Sequence, residues 1–239
     1  MCKLQLDIHT HTIASGHAYS TLNEMVTAAA NKGIKLIGIS EHAKGVPGTC
    51  DDIYFKNLSV IPRKQQGIEV MMGSEINILD GGELSLDAEV IDELDYRIAG
   101  VHCFCYSKDT KEVHTANMVK VLNNPQIDII SHPDNDDYPL DYSIIVPCAI
   151  KNHVLLEINN NSLRSSWRKN VRENCITILT MCKEANYPVL LSSDAHFIND
   201  VGNVELAEAL LKEVGFPDEL VINYHLDQFK EWIQFNRNK

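Results

Sequence analysis

Asp7-Ile8-His9-Thr10-His11 decides how the rest of this chain is read, with His17 six residues beyond His11. Leu4, Leu6 and Ile8 alternate with Gln5 and Asp7, the period-two pattern of a β-strand. His9 and His11 are two residues apart, so on a strand both imidazoles leave the same face. Two neutral imidazoles on one face make half of a metal site, because two ligands rarely hold a metal alone. By itself the pair is equally compatible with packed or surface histidines, and the remaining chain has to decide.

The chain's 239 residues suffice for one large domain or two small ones. At 44% hydrophobic and 23% charged, its composition is ordinary for a globular protein. It has no run of about eighteen apolar residues, so no membrane span is expected. Met1-Cys2-Lys3 runs straight into the first strand and leaves no room for a signal peptide. The seven cysteines (Cys2, Cys50, Cys103, Cys105, Cys148, Cys175, Cys182) have irregular spacing and read as reduced thiols of a cytoplasmic protein. Cys103-Phe104-Cys105 lacks a second cysteine pair and reads as structural. The formal charge of −12 and the lack of a basic run argue against a nucleic-acid duplex as partner. A small anion remains compatible with an acidic chain if divalent metals make the site locally positive.

Taken in order, the apolar runs are short and regular. Thr21-Leu22-Asn23-Glu24 is a capping box that opens a helix, and Gly33 closes it. Strands are expected over 34–40, 68–73, 96–101, 127–130, 154–158 and 189–191. Helices are expected over 87–94, 110–123, 142–152 and 171–185, with two more marked by Leu206, Leu210, Leu211 and Val214 and by Leu226, Phe229 and Ile233. Residues 51–66 read as short helical turns, and Asp80-Gly81-Gly82-Glu83 as a tight turn. Strand then helix thus repeats seven times. Strands apolar on both faces point to a parallel sheet, and the even repetition points to a barrel; a doubly wound open sheet gives the same periodicity. No linker interrupts the pattern, so residues 1–239 read as a single domain.

Residues able to bind metals gather at the strand ends. His9 and His11 end the first strand, His42 the second, Glu75 the third, His102 the fourth and His132 the fifth, while Asp194 and His196 follow the seventh. His17 lies in the first loop. Only the sixth strand ends otherwise, in Asn159 and Asn160. In a parallel α/β barrel these ends meet on the face that carries active sites. Seven of the ten histidines fall there, leaving out His114, His153 and His225. Each histidine alone is explained by a satisfied, half-buried ring, but seven at one rim point to metal. Nine ligands are too many for one ion and suit three, with at least one bridging carboxylate.

These residues carry a family resemblance. Asp7-Ile8-His9-Thr10-His11, Ser15-Gly16-His17-Ala18-Tyr19-Ser20, Glu41-His42, Gly73-Ser74-Glu75, Gly100-Val101-His102, Ile130-Ser131-His132-Pro133, Leu156-Glu157-Ile158-Asn159-Asn160 and Ser193-Asp194-Ala195-His196 resemble the motifs of the polymerase-and-histidinol-phosphatase (PHP) superfamily, and within it the YcdX-like phosphatases. They run over nearly the whole chain in the family order. The resemblance implies an α/β fold, a distorted (β/α)7 barrel, and a trinuclear centre of three divalent metals, usually Zn2+, with Mn2+ or Fe2+ as alternatives. It assigns His9, His11 and Asp194 to the first metal. Glu75 would bridge to the second, completed by His102 and His132, and His17, His42 and His196 would hold the third. Glu41 departs from the pattern, since Asp commonly precedes this histidine. YcdX-like relatives also imply a homotrimer.

The implied reaction is phosphomonoester hydrolysis of a small phosphorylated substrate. Its nucleophile would be a hydroxide bridging two metals, positioned by Glu75 and Asp194, with the metals clamping the phosphate. Asp7 is a candidate to orient a ligand imidazole. Arg164, Arg168 and Lys169 follow the sixth strand, and Arg164 or Arg168 could grip the phosphate bidentately; a solvated helix start explains them as well. Histidinol-phosphate phosphatase and phosphodiesterase or nuclease activities of the same superfamily stand as alternatives, as does a metal-binding relative without catalysis. An amidohydrolase-type deaminase also begins with His-x-His, but usually has eight strands and a bridging lysine where this chain has His102.

Overall fold

The apolar runs become strands because each is buried on both faces, which only a sheet covered on both sides allows. In the computed structural model, residues 2–239 are described; Met1, part of the segment read above against a signal peptide, lies outside them. The strands are β1 (Leu6–Asp7), β2 (Leu36–His42), β3 (Lys64–Gln65), β4 (Ile68–Asn77), β5 (Arg97–Gly100), β6 (Ile129–Ile130), β7 (Leu155–Asn159) and β8 (Val189–Ser192). Seven of them pair in parallel in the order β1-β2-β4-β5-β6-β7-β8, and β3 adds an antiparallel edge to β4. The helices are α1 (Leu22–Asn31), α2 (Asp52–Lys56), α3 (Ala88–Asp92), α4 (Lys111–Leu122), α5 (Tyr142–Asn152), α6 (Asn160–Arg164), α7 (Val171–Glu184), α8 (Glu205–Val214) and α9 (Leu226–Arg237). The result is a nearly closed seven-stranded barrel in one domain, not the open doubly wound sheet. None of the described helices is long and apolar enough to cross a membrane.

Alternation along the strands builds two cores. Leu6, Leu36, Ile98, Ile129, Leu155 and Leu190 fill the barrel, while Ile37, Ile39, Ala99, Ile130, Leu156 and Leu191 pack outward against the helices. Phe229 and Ile233 of α9, with Ile222, close the floor. Tyr96 occupies the interior and donates its hydroxyl to Ile8 O at 2.6 Å. Gly38 and Gly73 make room for it, since a Cβ on either would come within 2.7 Å of the Tyr96 ring or hydroxyl.

The barrel has one seam, between β1 and β8. Thr10 and Ala195 form an isolated parallel bridge there, with His11 N donating to Ala195 O at 2.9 Å. Below it the side chain of Asn223 stands in for a strand. Its Nδ2 donates to Leu6 O (3.1 Å) and Leu191 O (2.7 Å), and its Oδ1 accepts from Leu191 N (2.7 Å).

The capping box is present, with Thr21 and Glu24 each satisfying the other's backbone. Other elements differ from the sequence reading. The first strand is paired over two residues only, because the seam leaves its second edge to Asn223. The strand expected over 68–73 continues to Asn77, since pairing with β5 carries it through Ser74 and Glu75. Residues 51–66 contain α2 but also β3, turned into β4 by Gln66 and Gly67, both at positive φ (52° and 80°). Asn159 both ends β7 and caps α6, accepting from Ser162 N at 2.8 Å.

A buried ion pair ties the floor together. Arg97 binds Asp128 through Nε (2.8 Å) and Nη2 (2.9 Å), and Asn236 of α9 donates to the same carboxylate at 3.0 Å. Asp128→Ala leaves a buried guanidinium without its partner. We expect it to cost about 3–5 kcal/mol, read as a lowered urea midpoint with unchanged metal content.

Candidate metal centre

The C-terminal strand ends converge at the barrel mouth. Glu75, fully buried on β4, stands at the middle. Its Oε2 lies 3.2 Å from His9 Nε2, 3.6 Å from His11 Nε2 and 3.0 Å from His42 Nδ1. Its Oε1 lies 2.8 Å from His132 Nε2 and 3.3 Å from His102 Nε2, and accepts from Ser131 Oγ at 2.7 Å. Gly100 allows this approach, because a Cβ there would sit 2.2 Å from Ser131 Oγ and 2.7 Å from Glu75 Oε1. Asp194 Oδ1 lies 3.2 Å from His11 Nε2 and 3.6 Å from His9 Nε2. His17 and His196 face each other with Nε2 atoms 3.0 Å apart, and the His42 ring stacks on those of His11 and His17 (4.3 and 5.0 Å). All nine residues singled out as ligands are therefore at one place.

Hydrogen bonds on the far side of each ring decide which nitrogen faces inward. His9 Nδ1 is 2.6 Å from Glu157 Oε1. His102 Nδ1 donates to Asn77 Oδ1 (2.8 Å), an amide whose Nδ2 is turned to Ala43 O and Lys44 O. His17 and His196 Nδ1 donate to the carbonyls of Ser15 (3.1 Å) and Asp194 (2.9 Å). Ser15 Oγ donates to Glu41 and so accepts from His11 Nδ1 at 3.1 Å. Each of these rings then turns its Nε2 towards the centre.

The centre is unsatisfied as it stands. His9 Nε2, His11 Nε2, His42 Nδ1 and Glu75 Oε2 are buried without a hydrogen-bond partner. The facing Nε2 atoms of His17 and His196 are two acceptors in contact. Such an arrangement is costly in a protein interior unless a cation lies among the donors. Three groups, His9/His11/Glu75, His42/Glu75/His102 and His11/His42/His196, each bring their ligand atoms within 4.8 Å of one another. The donor set, imidazole with carboxylate, suits zinc, manganese or iron(II).

The charges follow the same logic. Burial disfavours ionised His9, but Glu157, Glu75 and Asp194 outweigh it and hold its pKa well above the usual value. His11 is pushed well below by burial and by His42 and His196, and His17 is pushed to about 4 by the same three causes. Burial opposes ionisation of Glu75 and Asp194 too, yet the surrounding imidazoles keep both well below the ordinary carboxylate range. His132 (φ 31°) and Asp194 (φ 51°) take left-handed backbone conformations, which cost of the order of 1–3 kcal/mol each. His132 N is held in place by Glu157 Oε2 at 2.7 Å, and Asp194 Oδ2 by Asn159 at 3.3 Å.

Some roles differ from the sequence reading. Asp7 meets no imidazole; it accepts from Ser193 N (3.3 Å), Ser193 Oγ and Gly202 N (2.7 Å), fastening the seam. Glu157 orients His9 instead. Its signal was an acid within the apolar run Val154–Ile158, where a buried charge needs a partner. Glu41 reaches back to Thr12 N (3.1 Å) and Ser15 Oγ (2.5 Å), so its extra methylene serves the first loop. Arg168 lines the cleft over the centre, and its Nη1 is buried without a partner. Arg164 is turned away into a two-bond pair with Asp200, both at 3.1 Å.

Glu157→Gln keeps the shape but removes the anion shared by His9 and His132. We expect zinc affinity to fall about 10- to 100-fold, measured by competition with a chromophoric chelator. Because Glu157, Glu75 and Asp194 favour a proton on His9 that a metal ion would displace, zinc binding to the metal-free protein is expected to release protons. Calorimetry in buffers of different ionisation enthalpy reads that release.

Residues 7–140, more than half the chain, match the family model of the PHP domain. The chain is 41% identical to a probable phosphatase of Caldicellulosiruptor saccharolyticus, over 98% of this chain and 97% of that protein. A probable phosphatase of Clostridium acetobutylicum is 39% identical over 97% of this chain and 95% of its own length. Among solved structures, the fold is shared with histidinol phosphate phosphatase from Lactococcus lactis, crystallised with zinc, L-histidinol and phosphate. That match has a TM-score of 0.60 at 18% identity, covering 90% of this chain and 95% of that one. A chain of archaeal ribonuclease P with mature tRNA shares it too, with a TM-score of 0.57 at 12% identity, covering 98% and 91%. By the motif span and by identity along nearly its whole length, the chain belongs to the PHP domain family.

Proposed function

We propose that the protein is a metal-dependent phosphomonoester hydrolase working with three divalent metals, zinc first among them. The observation that carries this reading is the set of buried, partnerless ligand atoms His9 Nε2, His11 Nε2, His42 Nδ1 and Glu75 Oε2 at one point of the barrel mouth. His9, His11, Asp194 and Glu75 would hold the first metal. Glu75, His102 and His132 would hold the second, and His17, His42 and His196 the third. When bound, such metals supply a water whose pKa falls from about 15.7 to about 7 and positive charge against the phosphate.

The chain's own groups do the rest. Glu157, Ser15 and Asn77 keep the ring protons on the outer nitrogens of His9, His11 and His102. Ser131 fixes one oxygen of Glu75. Arg168, which lines the cleft, would bring positive charge towards a phosphate oxygen, whereas Arg164 is already engaged by Asp200. The cleft of about 680 Å³ admits a small phosphorylated substrate. The unpaired thiols of all seven cysteines fit a reducing, cytoplasmic setting.

Phosphate release from 4-nitrophenyl phosphate is the test, using metal-free protein and protein refilled with zinc, manganese or iron(II). Activity is expected only with metal. Glu75→Ala and His102→Ala are expected to bring it to background while circular dichroism still reports a folded barrel. Full activity in either variant would overturn the ligand assignment.

A further inference from the structure

Outside the proposed ligands, the charged residues that line the cleft are Lys108, Asp137 and Arg168. Two of the three are cationic, in a chain of formal charge −12. Asp137 in turn carries two lysines on one oxygen. Its Oδ1 meets Lys169 Nζ at 2.7 Å and Lys108 Nζ at 3.0 Å. Lys169 and Lys108 together hold its carboxyl below the usual carboxylate range. The three residues come from three separate loops. Lys108 follows β5, Asp137 follows β6, and Lys169 lies between α6 and α7. No basic run in the sequence announces this group; the barrel assembles it at its mouth.

The loops are braced against one another. Asn135, on the cleft wall, accepts through Oδ1 from Asp137 N and Lys169 N, both at 3.0 Å, and Asp136 N donates to Lys169 O at 3.0 Å. Ser107, next to Lys108, donates through N (2.8 Å) and Oγ (2.7 Å) to Asp80. A staple between loops needs only one lysine. A second ammonium on the same oxygen repels the first and orders another long side chain, so stability does not account for it. Each ammonium has three donors, and among the described residues each is engaged by this one oxygen. Two ammonium groups on one carboxylate leave a net positive charge with donors to spare. That charge stands on the wall of the cleft that holds His102, His132 and Asp194.

Resting on the hydrolase reading above, we infer that Lys108 and Lys169, braced by Asp137, form a second anion subsite for the alcohol half of the substrate. The substrate class is a phosphomonoester whose alcohol carries a carboxylate. With phosphate at the centre, the carboxylate lies along the cleft wall and accepts charge-assisted hydrogen bonds from the two ammonium groups. Its single negative charge matches the single positive charge that the trio leaves over. An alcohol bearing an ammonium, as in the histidinol type of substrate, meets like charge at the same place and is disfavoured. The cleft of about 680 Å³ has room for an ester that spans both subsites.

The test uses the zinc-loaded chain with a ladder of ω-phosphooxyalkanoates of increasing chain length, each beside its primary amide and the matching ω-aminoalkyl phosphate. The amide has the size of the acid and lacks its charge. At the best chain length we expect kcat/KM to favour the acid over the amide about tenfold, with the difference in KM, and the amine to rank last. Lys108→Gln and Lys169→Gln should each lower the acid-to-amide ratio, the double variant should bring it to about one, and Lys108→Arg should keep most of it. Added potassium chloride should shrink the ratio, because exposed charges are screened. Both esters are read on one protein sample, so a misfolded fraction cancels from the ratio. No acid preference at any length, a ratio untouched by both glutamine variants, or a preference for the amine or for an alkanediol bisphosphate over the acid would overturn the inference. Binding is read separately by calorimetry with ω-phosphonoalkanoates and their amides, which are not hydrolysed. Tighter binding of the acids without hydrolysis of any ester would sink the hydrolase reading and keep the subsite. Hydrolysis without any acid preference would do the reverse.

Discussion

A buried carboxylate ringed by imidazoles is the constraint on which this molecule turns. Glu75 is fully buried, and five imidazoles from four other strand ends crowd its two oxygens. Protons alone cannot satisfy the group. Putting one on every ring would pack five positive charges together, and removing them all would leave lone pairs facing lone pairs. The opposite displacements of His9 and His11 express that conflict within a few ångströms. Divalent ions would resolve it, because each offers charge to the carboxylate and an empty orbital to the imidazoles.

The barrel serves this centre by making its surroundings stiff. Glycines at 38, 73 and 100 let Tyr96 and Glu75 sit where side chains would otherwise collide. Glu157 links a ring from β1's extension to the backbone of His132, so two proposed metal positions share one anchor. The left-handed backbones of His132 and Asp194 persist because hydrogen bonds from neighbouring strands hold them. Precision at the mouth comes from this second ring of contacts.

Much of this was legible in the sequence, for physical reasons. Histidines at strand ends stand out because buried imidazoles are costly without partners, and seven strand-helix repeats stand out because both periods are short. The capping box at Thr21 and Glu24 is local, so four consecutive residues are enough to specify it. What depended on distant contacts was not legible. Nothing in the run from Ser162 to Asn170 says that Arg164 meets Asp200 while Arg168 faces the cleft. Gln66-Gly67 is a weaker hairpin signal than Asn-Gly, so β3 was hidden among helical turns. Asp7 and Glu157 are both acids in strands, and only the fold reveals which of them meets an imidazole.

The seam closed by Asn223 has a bearing on how the molecule is made. Asn223 bonds to Leu6, 217 residues earlier, and His17 meets His196 across 179 residues. On a ribosome adding about 5–20 residues per second, the first strand waits roughly 10–45 seconds for its closing partner. During that interval β1 presents a bare edge, and His9 and His11 are exposed before Asp194 exists beside them. An ion captured then would sit in an incomplete cage and exchange freely. With a metal centre as proposed, durable metal acquisition would thus belong after synthesis, once the closing strand is in place.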